Sequence, residues 1–586
     1  MTYCERRVPT LPLFSSADEW RAFETSTRAR VLDKVVFRGE AASWRNYRGK
    51  VEWLDEIAGG DGYRIKKLRY EALPGLWIPA LLYEPTKLVD KAPVFLNVNG
   101  HDGAGKAAPY KQIRCINQAK RGIISLNLEW VGMGQLRSEG FSHAKMNQLD
   151  LCGTSGIAPF FLSMQRGLDI LLDHPHADPK RVGVAGLSGG GWQTIFISSL
   201  DPRVTLCNPV AGYSSFITRA RNHSDLGDSE QTPTDLGLYG DYAVLTAMLA
   251  PRHALLTFNA ADNCCFAAPH ALPPLMDAAR PVYRLLGQEL NLRSHVNYVP
   301  GDHNFGLENR EALYRVIGDA FFPGDKDYQR SEIESESELK TAEELNVALP
   351  EKNEDFNTLA VRLSANLPRT DVEANRDDLK SIVRAKEYKV AAQVDHREEV
   401  EGVTVVGRRL KMDDAWTVPC VEFAPAKSRG TVIVIADDGR TSTAELVGSL
   451  TAAGERVIAV DPYYFGESKL GRRDWLFSLL IATIGDRPLG VQASQILAVA
   501  RWSKSEFDGQ PVRLISVGPR TGVVAAVAGA LAPETFDAVE SRGGLTSLKD
   551  LIRDNRAVSE MPELFCFGLL EKFDLAQLMA LGPKSK

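Results

Sequence analysis

Short apolar runs rich in β-branched residues alternate along this chain with longer amphipathic stretches, a rhythm that predicts a mostly parallel sheet flanked by helices. Pro93 to Val98, Gly122 to Glu129, Arg181 to Ala185 and His253 to Asn259 are such runs in the first half. The rhythm breaks between about Asp325 and Asp355, where Glu, Asp, Lys and Ser crowd out apolar residues. That composition predicts a solvated connector and a domain boundary. Beyond it the alternation resumes.

The two halves share local motifs in the same order. Gly75 to Pro85, read as a strand of a leading hairpin, is echoed by Trp416 to Pro425. Pro93 to Val98 with the loop Asn99-Gly100-His101-Asp102-Gly103 is echoed by Thr431 to Ile435 with Ala436-Asp437-Asp438-Gly439-Arg440. Gly122 to Glu129 followed by Trp130 to Gln135 finds a partner in Arg456 to Asp461 followed by Pro462 to Ser468. Apolar strands match by chance, but several matches in register argue for a duplication. The expected organisation is an N-terminal helical extension over 1–59, a first domain over 60–325, an acidic connector over 326–355 and a second domain over 356–586.

A chain of 586 residues exceeds what one hydrophobic core organises, in keeping with two domains. A net charge of -6 and a pI near 6.0 argue against a nucleic-acid partner, which calls for a basic surface. The apolar runs are too short to cross a bilayer, and Met1 to Thr10 lacks a signal core, so a soluble chain without a membrane partner is expected. Its default compartment is the cytoplasm, or the periplasm or exterior if a leader has been removed. The eight cysteines form no CxxC pair, and adjacent Cys264 and Cys265 read as small buried hydrophobes.

Chemistry enters at Gly186-Leu187-Ser188-Gly189-Gly190, between the strand Arg181 to Ala185 and an apolar helical stretch, Trp192 to Leu200. This is the G-x-S-x-G elbow in the strand-turn-helix setting it requires, with Ser188 as candidate nucleophile. A seryl hydroxyl needs a base. His303, in the turn-forming loop after the run His295 to Val299, is in place for it, whereas His174, His176, His270 and His295 are not. Asp262, on the loop after His253 to Asn259, is the expected acid, with Asp302 as a rival carboxylate. Backbone N–H groups of Gly189 and His101 are the expected oxyanion hole. Trp130 and Trp192 are candidates for lining the substrate site. No H-E-x-x-H or comparable cluster occurs among the ten histidines, so neither metal nor cofactor is expected.

With these residues in hand, 60–325 resembles the acetyl xylan esterase and dienelactone-hydrolase-like branch of the α/β-hydrolases, which borders the prolyl oligopeptidase catalytic domain. The carriers are Trp77 and Pro79, Asn99 to Gly103, Gly186 to Gly190, Ala261-Asp262 and Gly301 to Asn304. The resemblance implies tandem α/β-hydrolase domains and a serine carboxylic-ester hydrolase acting on acetyl or other short acyl esters, carbohydrate esters included. No propeller-like repeat accompanies it, which disfavours a serine peptidase. The other alternative is a non-catalytic binding protein. The second half looks like a degenerate copy: Arg520 stands in Gly518-Pro519-Arg520-Thr521-Gly522 where a serine is expected, and Leu569 to Lys584 aligns with the stretch ending at Met248 to Arg252. No segment remains there for an acid or a base, and this half is expected to be truncated relative to the first.

Overall fold

The computed structural model describes residues 2–88, 90–369, 375–471 and 473–583. Two compact units emerge: Met1–Met146 with Ser155–Thr358, and Asn147–Thr154 with Leu359–Lys586.

The first unit is built on a nine-stranded sheet. Its strands are β1 (Val51–Ala58), β2 (Tyr63–Leu73), β3 (Leu76–Pro85), β4 (Ala92–Asn97), β5 (Ile124–Leu128), β6 (Ala177–Leu187), β7 (Leu206–Val210), β8 (His253–Asn259) and β9 (Leu292–Asn297). They lie in the order β1-β2-β3-β5-β4-β6-β7-β8-β9. The leading β2–β3 hairpin closes through Pro74-Gly75, with φ +84° at Gly75, the left-handed position a type II turn needs after proline. β3 pairs antiparallel with β5, and from β5 to β9 all pairings are parallel.

Adjacent residues of a strand face opposite sides, and the two faces are covered by different helices. Gly167 in the helix Ala158–Leu172 rides close over Leu96, Leu126 and Leu128. On the opposite face Phe95, Ala185, Leu187, Leu206, Val210 and Leu255 pack with Leu313 and Ile317 of the helix Leu307–Phe321. Because β5 returns beside β3 and β6 departs on the far side of β4, the chain reverses direction at the carboxyl ends of β4 and β6. A crevice is expected at that point.

Two expectations about domain organisation meet a different arrangement. The N-terminal segment carries a helix, Ala17–Val31, capped by Ser16, but it ends in β1, an edge strand of the sheet. Segment 326–355 is a strap on the first unit, not a solvated connector. Leu345 and Val347 are fully buried with Tyr63, Ile65, Leu81, Tyr83 and Ile116. Glu332 takes Arg310 in a two-pronged ion pair at 2.6 Å on each oxygen, and the Lys340 N–H donates to Gln112 at 2.9 Å. A few apolar anchors, with charges such as Glu332 paired inward, fix the segment to the unit.

The second unit repeats the plan with seven strands: β10 (Val390–Val400), β11 (Val403–Met412), β12 (Trp416–Pro425), β13 (Thr431–Ala436), β14 (Arg456–Val460), β15 (Val512–Val517) and β16 (Ala538–Arg542). Their order, β10-β11-β12-β14-β13-β15-β16, is that of β1 to β7. Register makes the repeat residue-specific. Val94 pairs with Ile124 and Val182 in the first unit as Thr431 pairs with Arg456 and Val512 in the second. The Glu129 N–H donates to the Pro79 carbonyl and the Asp461 N–H to that of Pro419. Among the described residues this sheet ends at β16 and has no counterpart of β8 or β9.

Candidate active site

Ser188 links β6 to the helix Gly189–Leu200 with φ +61° and ψ −122°, a conformation that non-glycine residues avoid and that costs of order 1–3 kcal/mol. The surrounding fold enforces it. Its N–H donates to the Val210 carbonyl on β7 at 2.9 Å, and its own carbonyl accepts from the Trp192 N–H at 2.9 Å. The side chain is therefore presented at the first turn of a helix whose every residue is buried.

The loop after β4 passes directly over this turn. A Cβ on Gly100 would collide with the Leu187 carbonyl and lie 3.1 Å from the Gly189 nitrogen and 3.2 Å from that of Gly190. Only glycine lets this backbone approach the elbow so closely. Asn99 pins the loop from below, donating its amide to Asn127 Oδ1 at 2.7 Å and to the Leu128 carbonyl at 2.6 Å. Gln193, one turn into the elbow helix, donates in turn to the Asn99 carbonyl. Asn99 and Gln193 are positioning residues that the motif alone does not flag.

His303 and Asp262 come together on the loops that follow β9 and β8. His303 Nδ1 is 2.8 Å from Asp262 Oδ2 and 3.0 Å from Oδ1. The Asp262 side chain is inaccessible but well supplied with donors: the N–H groups of Cys264 and Cys265 each reach Oδ1 at 3.0 Å, and Asn259 Nδ2 reaches Oδ2 at 3.1 Å. Burial raises the pKa of Asp262, but the hydrogen bond and charge of His303 and these donors outweigh it, so the carboxylate is held below its ordinary value. Burial lowers the pKa of His303, yet the same carboxylate lifts it above its ordinary 6.5. The rival acid, Asp302, is exposed and accepts from Asn304 Nδ2 at 3.2 Å. Three of the other histidines bond to different carboxylates or carbonyls: His174 to Glu84, His176 to the Asp90 carbonyl and His270 to Asp225.

Trp130 and Trp192 fare differently from the expectation of a substrate lining. Trp192 is fully buried, donates its indole N–H to Tyr242 Oη at 2.8 Å and stacks on Phe196, so it is part of the packing behind the elbow. Helical position placed it near Ser188 in sequence but turned it inward. Trp130 is also nearly inaccessible, yet its ring abuts Gly189, where any Cβ would strike it. It packs edge-on against the rings of His101, centroids 4.6 Å apart, and His143, 4.4 Å apart.

Next to Trp130 the fold assembles a group that no sequence spacing announces. His101, His143 and Glu230 come from three separate loops, and their ligand atoms lie within 4.8 Å of one another. The signal was the unexplained charge of Glu230 in an otherwise buried segment, which is visible only once the chain is folded.

In the second unit, register revises the position assigned to Arg520. The Gly518 N–H donates to the Arg542 carbonyl as the Ser188 N–H does to Val210, and Gly518, with φ +111°, precedes the helix Pro519–Leu531 as Ser188 precedes its own. Gly518 is therefore the counterpart of Ser188, and Pro519 that of Gly189. Arg520 lies two residues further on, in a bidentate pair with the fully buried Glu563 at 2.6 and 3.0 Å. The strand pairs with Val94 and Thr431 likewise make Asp437 the counterpart of Gly100. Its carboxylate accepts the N–H groups of Arg520 at 3.0 Å and Thr521 at 2.7 Å. The second unit thus has no hydroxyl at the nucleophile position, a proline without an N–H at the donor position, and a carboxylate on the helix N-terminus.

No family model and no curated protein matches the chain. The strand order, with its elbow after β6, decides the architecture. The fold is that of the α/β-hydrolases. Solved structures similar to this chain include a methylesterase, 21% identical with a TM-score of 0.48, covering 60% of this chain and 76% of that one. A glucuronoyl esterase from Solibacter usitatus is 16% identical with a TM-score of 0.41, over 54% of this chain and all of that one. Acetyl Xylan Esterase 1 from Thermoanaerobacterium sp. is 17% identical with a TM-score of 0.38, over 55% and 98%. Among the described residues no helix is long and apolar enough to cross a membrane.

Proposed function

We propose that the first unit is a serine carboxylic-ester hydrolase that removes acetyl or other short acyl groups, carbohydrate esters being the favoured class, through Ser188, His303 and Asp262. The observation that carries the reading is the strained elbow at Ser188 on the same sheet edge as a histidine held by a buried, anionic aspartate. The elbow conformation itself costs stability.

In the reaction, Ser188 Oγ attacks the ester carbonyl as His303 Nε2 takes its proton, and the carbonyl electron pair moves onto oxygen. Asp262 keeps the Nδ1 proton in place and stabilises the imidazolium. The Gly189 N–H, with the backbone of the Gly100-His101 loop beside it, stabilises the oxyanion; one such donor is worth roughly 10²–10³ in rate. His303 then protonates the departing alkoxide. Water, deprotonated by His303, attacks the acyl-serine, and the acid leaves as Ser188 recovers its proton. The Trp130 ring closing the space beside Gly189 supports a short acyl group.

The second unit is read as a hydrolase-like domain without hydrolytic chemistry, supported by Gly518, Pro519 and Asp437 at the positions of Ser188, Gly189 and Gly100. Hydrolysis of p-nitrophenyl acetate and of acetylated xylan by the wild type beside Ser188→Ala tests the proposal. Activity confined to the wild type supports it, and equal rates from the two proteins overturn it.

A further inference from the structure

His143 is buried and its Nε2 lies 2.7 Å from the Val131 carbonyl. A carbonyl only accepts, so Nε2 carries the proton and Nδ1 faces the other way. Two groups meet it there, and a third meets His101. His101 Nε2 is 3.2 Å from Nδ1, Glu230 Oε2 is 3.0 Å from it, and Asp228 Oδ2 is 3.5 Å from His101 Nε2. Glu230 is completely buried, with His143 Nδ1 at 3.0 Å from its Oε2. A desolvated carboxylate converging with two ring nitrogens is stabilised by a positive charge placed between them.

A divalent cation at the point of convergence balances both carboxylates. Metal bonds of 2.0–2.2 Å in tetrahedral array set neighbouring donors about 3.3–3.5 Å apart, close to the 3.0 Å between Glu230 and His143, the 3.2 Å between His143 and His101 and the 3.5 Å between His101 and Asp228. The Nε2–H bond to Val131 is the arrangement by which a ligating histidine is held in its tautomer. On one side the site is sealed by Trp130 and Phe160, which pack on the His143 ring at 4.4 and 5.0 Å. On the other it is open, the His101 and Asp228 side chains being 33% and 36% exposed.

We propose that His101 Nε2, His143 Nδ1 and Glu230, with Asp228 alongside, form a binding site for a divalent cation of zinc-like preference. Two imidazoles and a carboxylate suit zinc over magnesium or calcium, which favour oxygen donors. Cation binding does not depend on the ester-hydrolase reading, which can fail while this site stands. Its structural consequence is a tether: a cation bound to the His101 ring holds the loop whose backbone crosses the elbow at Gly100.

The test is zinc titration by calorimetry on the whole chain after removal of metal with a chelator. A parallel titration with cobalt(II) is read by its visible absorption bands. Because Cys264, Cys265 and His303 form a second group of potential ligands, the measurement is repeated in Cys264→Ser/Cys265→Ser. The expected result is one zinc per chain, bound equally by the serine variant and about 100-fold or more weaker in Glu230→Gln and His101→Ala. Cobalt absorption should lack thiolate-to-metal bands. His101 is on an exposed loop, so its variant carries the test if Glu230→Gln does not fold. Absence of zinc binding in the wild type, binding unchanged by His101→Ala, or binding lost in the serine variant each overturns the proposal.

Discussion

His303 Nδ1 sits 2.8 Å from Asp262 Oδ2, and Asp262 is fixed in turn by two backbone N–H groups and Asn259. The carboxylate has few ways to turn away, so it defines both the orientation and the basicity of the imidazole. This pair yields the sharpest pH expectations.

Since Asp262 raises the His303 pKa above 6.5, the neutral base is lost as pH falls through a value above 6.5. The acidic limb of kcat/KM against pH should have its midpoint there. In Asp262→Asn the limb should move to lower pH, and kcat should fall by about 10⁴ as the tautomer is lost. A pH-rate series on both proteins checks both statements.

The same shift has a stability consequence of opposite sense. A histidine whose folded pKa exceeds its unfolded value contributes stability that is fully present below pH 6.5 and is lost as pH rises through the folded pKa. The wild type should therefore lose a small part of its advantage over Asp262→Asn across that window. Chemical denaturation at pH 5.5 to 8.5, values chosen about one to two units on either side of the ordinary histidine pKa, measures it.

Gly189→Ala should be damaging despite its small size, because the new Cβ has no room beside the Trp130 ring. The first helical turn must shift and carry the Gly189 N–H with it. A loss of roughly 10² in kcat is expected, with KM changing less. Tryptophan fluorescence should report the displaced ring, and an unaltered spectrum with full activity would contradict the packing described.

Leu345→Ala should cost about 2–5 kcal/mol, the usual range for emptying a fully buried leucine site. A solvated connector would predict a change near zero. Urea unfolding of the two proteins distinguishes the cases.

In the second unit, Asp437→Ala should lower the stability of that unit by about 1–2 kcal/mol, because two helix N-terminal N–H groups lose their acceptor. Ester hydrolysis should be unchanged. Differential scanning calorimetry with an activity assay reads both effects.

Much of this was legible in the chain because parallel sheets place chemistry at strand ends, where local motifs mark it. Ser188, Asp262 and His303 each follow a recognisable strand, and the leading hairpin and the order of the repeat were readable for the same reason. What was missed depends on register or on distant contacts. The Gly-x-x-x-Gly spacing shared by Gly186–Gly190 and Gly518–Gly522 aligns Arg520 with Ser188, but backbone pairing shifts the correspondence by two residues, to Gly518. Segment 326–355 was judged on average composition, whereas Leu345 and Val347 decide its place. Trp192 lies next to the elbow in sequence, and only the helical turn reveals that it faces Tyr242. His143 and Glu230 carry no motif at all, since the three loops that join them with His101 are far apart in sequence.

The central claim, that Ser188 is an activated nucleophile, is tested most directly by covalent labelling with a fluorophosphonate followed by peptide mapping. One label per chain is expected, on Ser188, fast at neutral pH and slowed by Asp262→Asn, with no label in Ser188→Ala. A wild type that stays unlabelled, or a label that persists at another residue in Ser188→Ala, would contradict it.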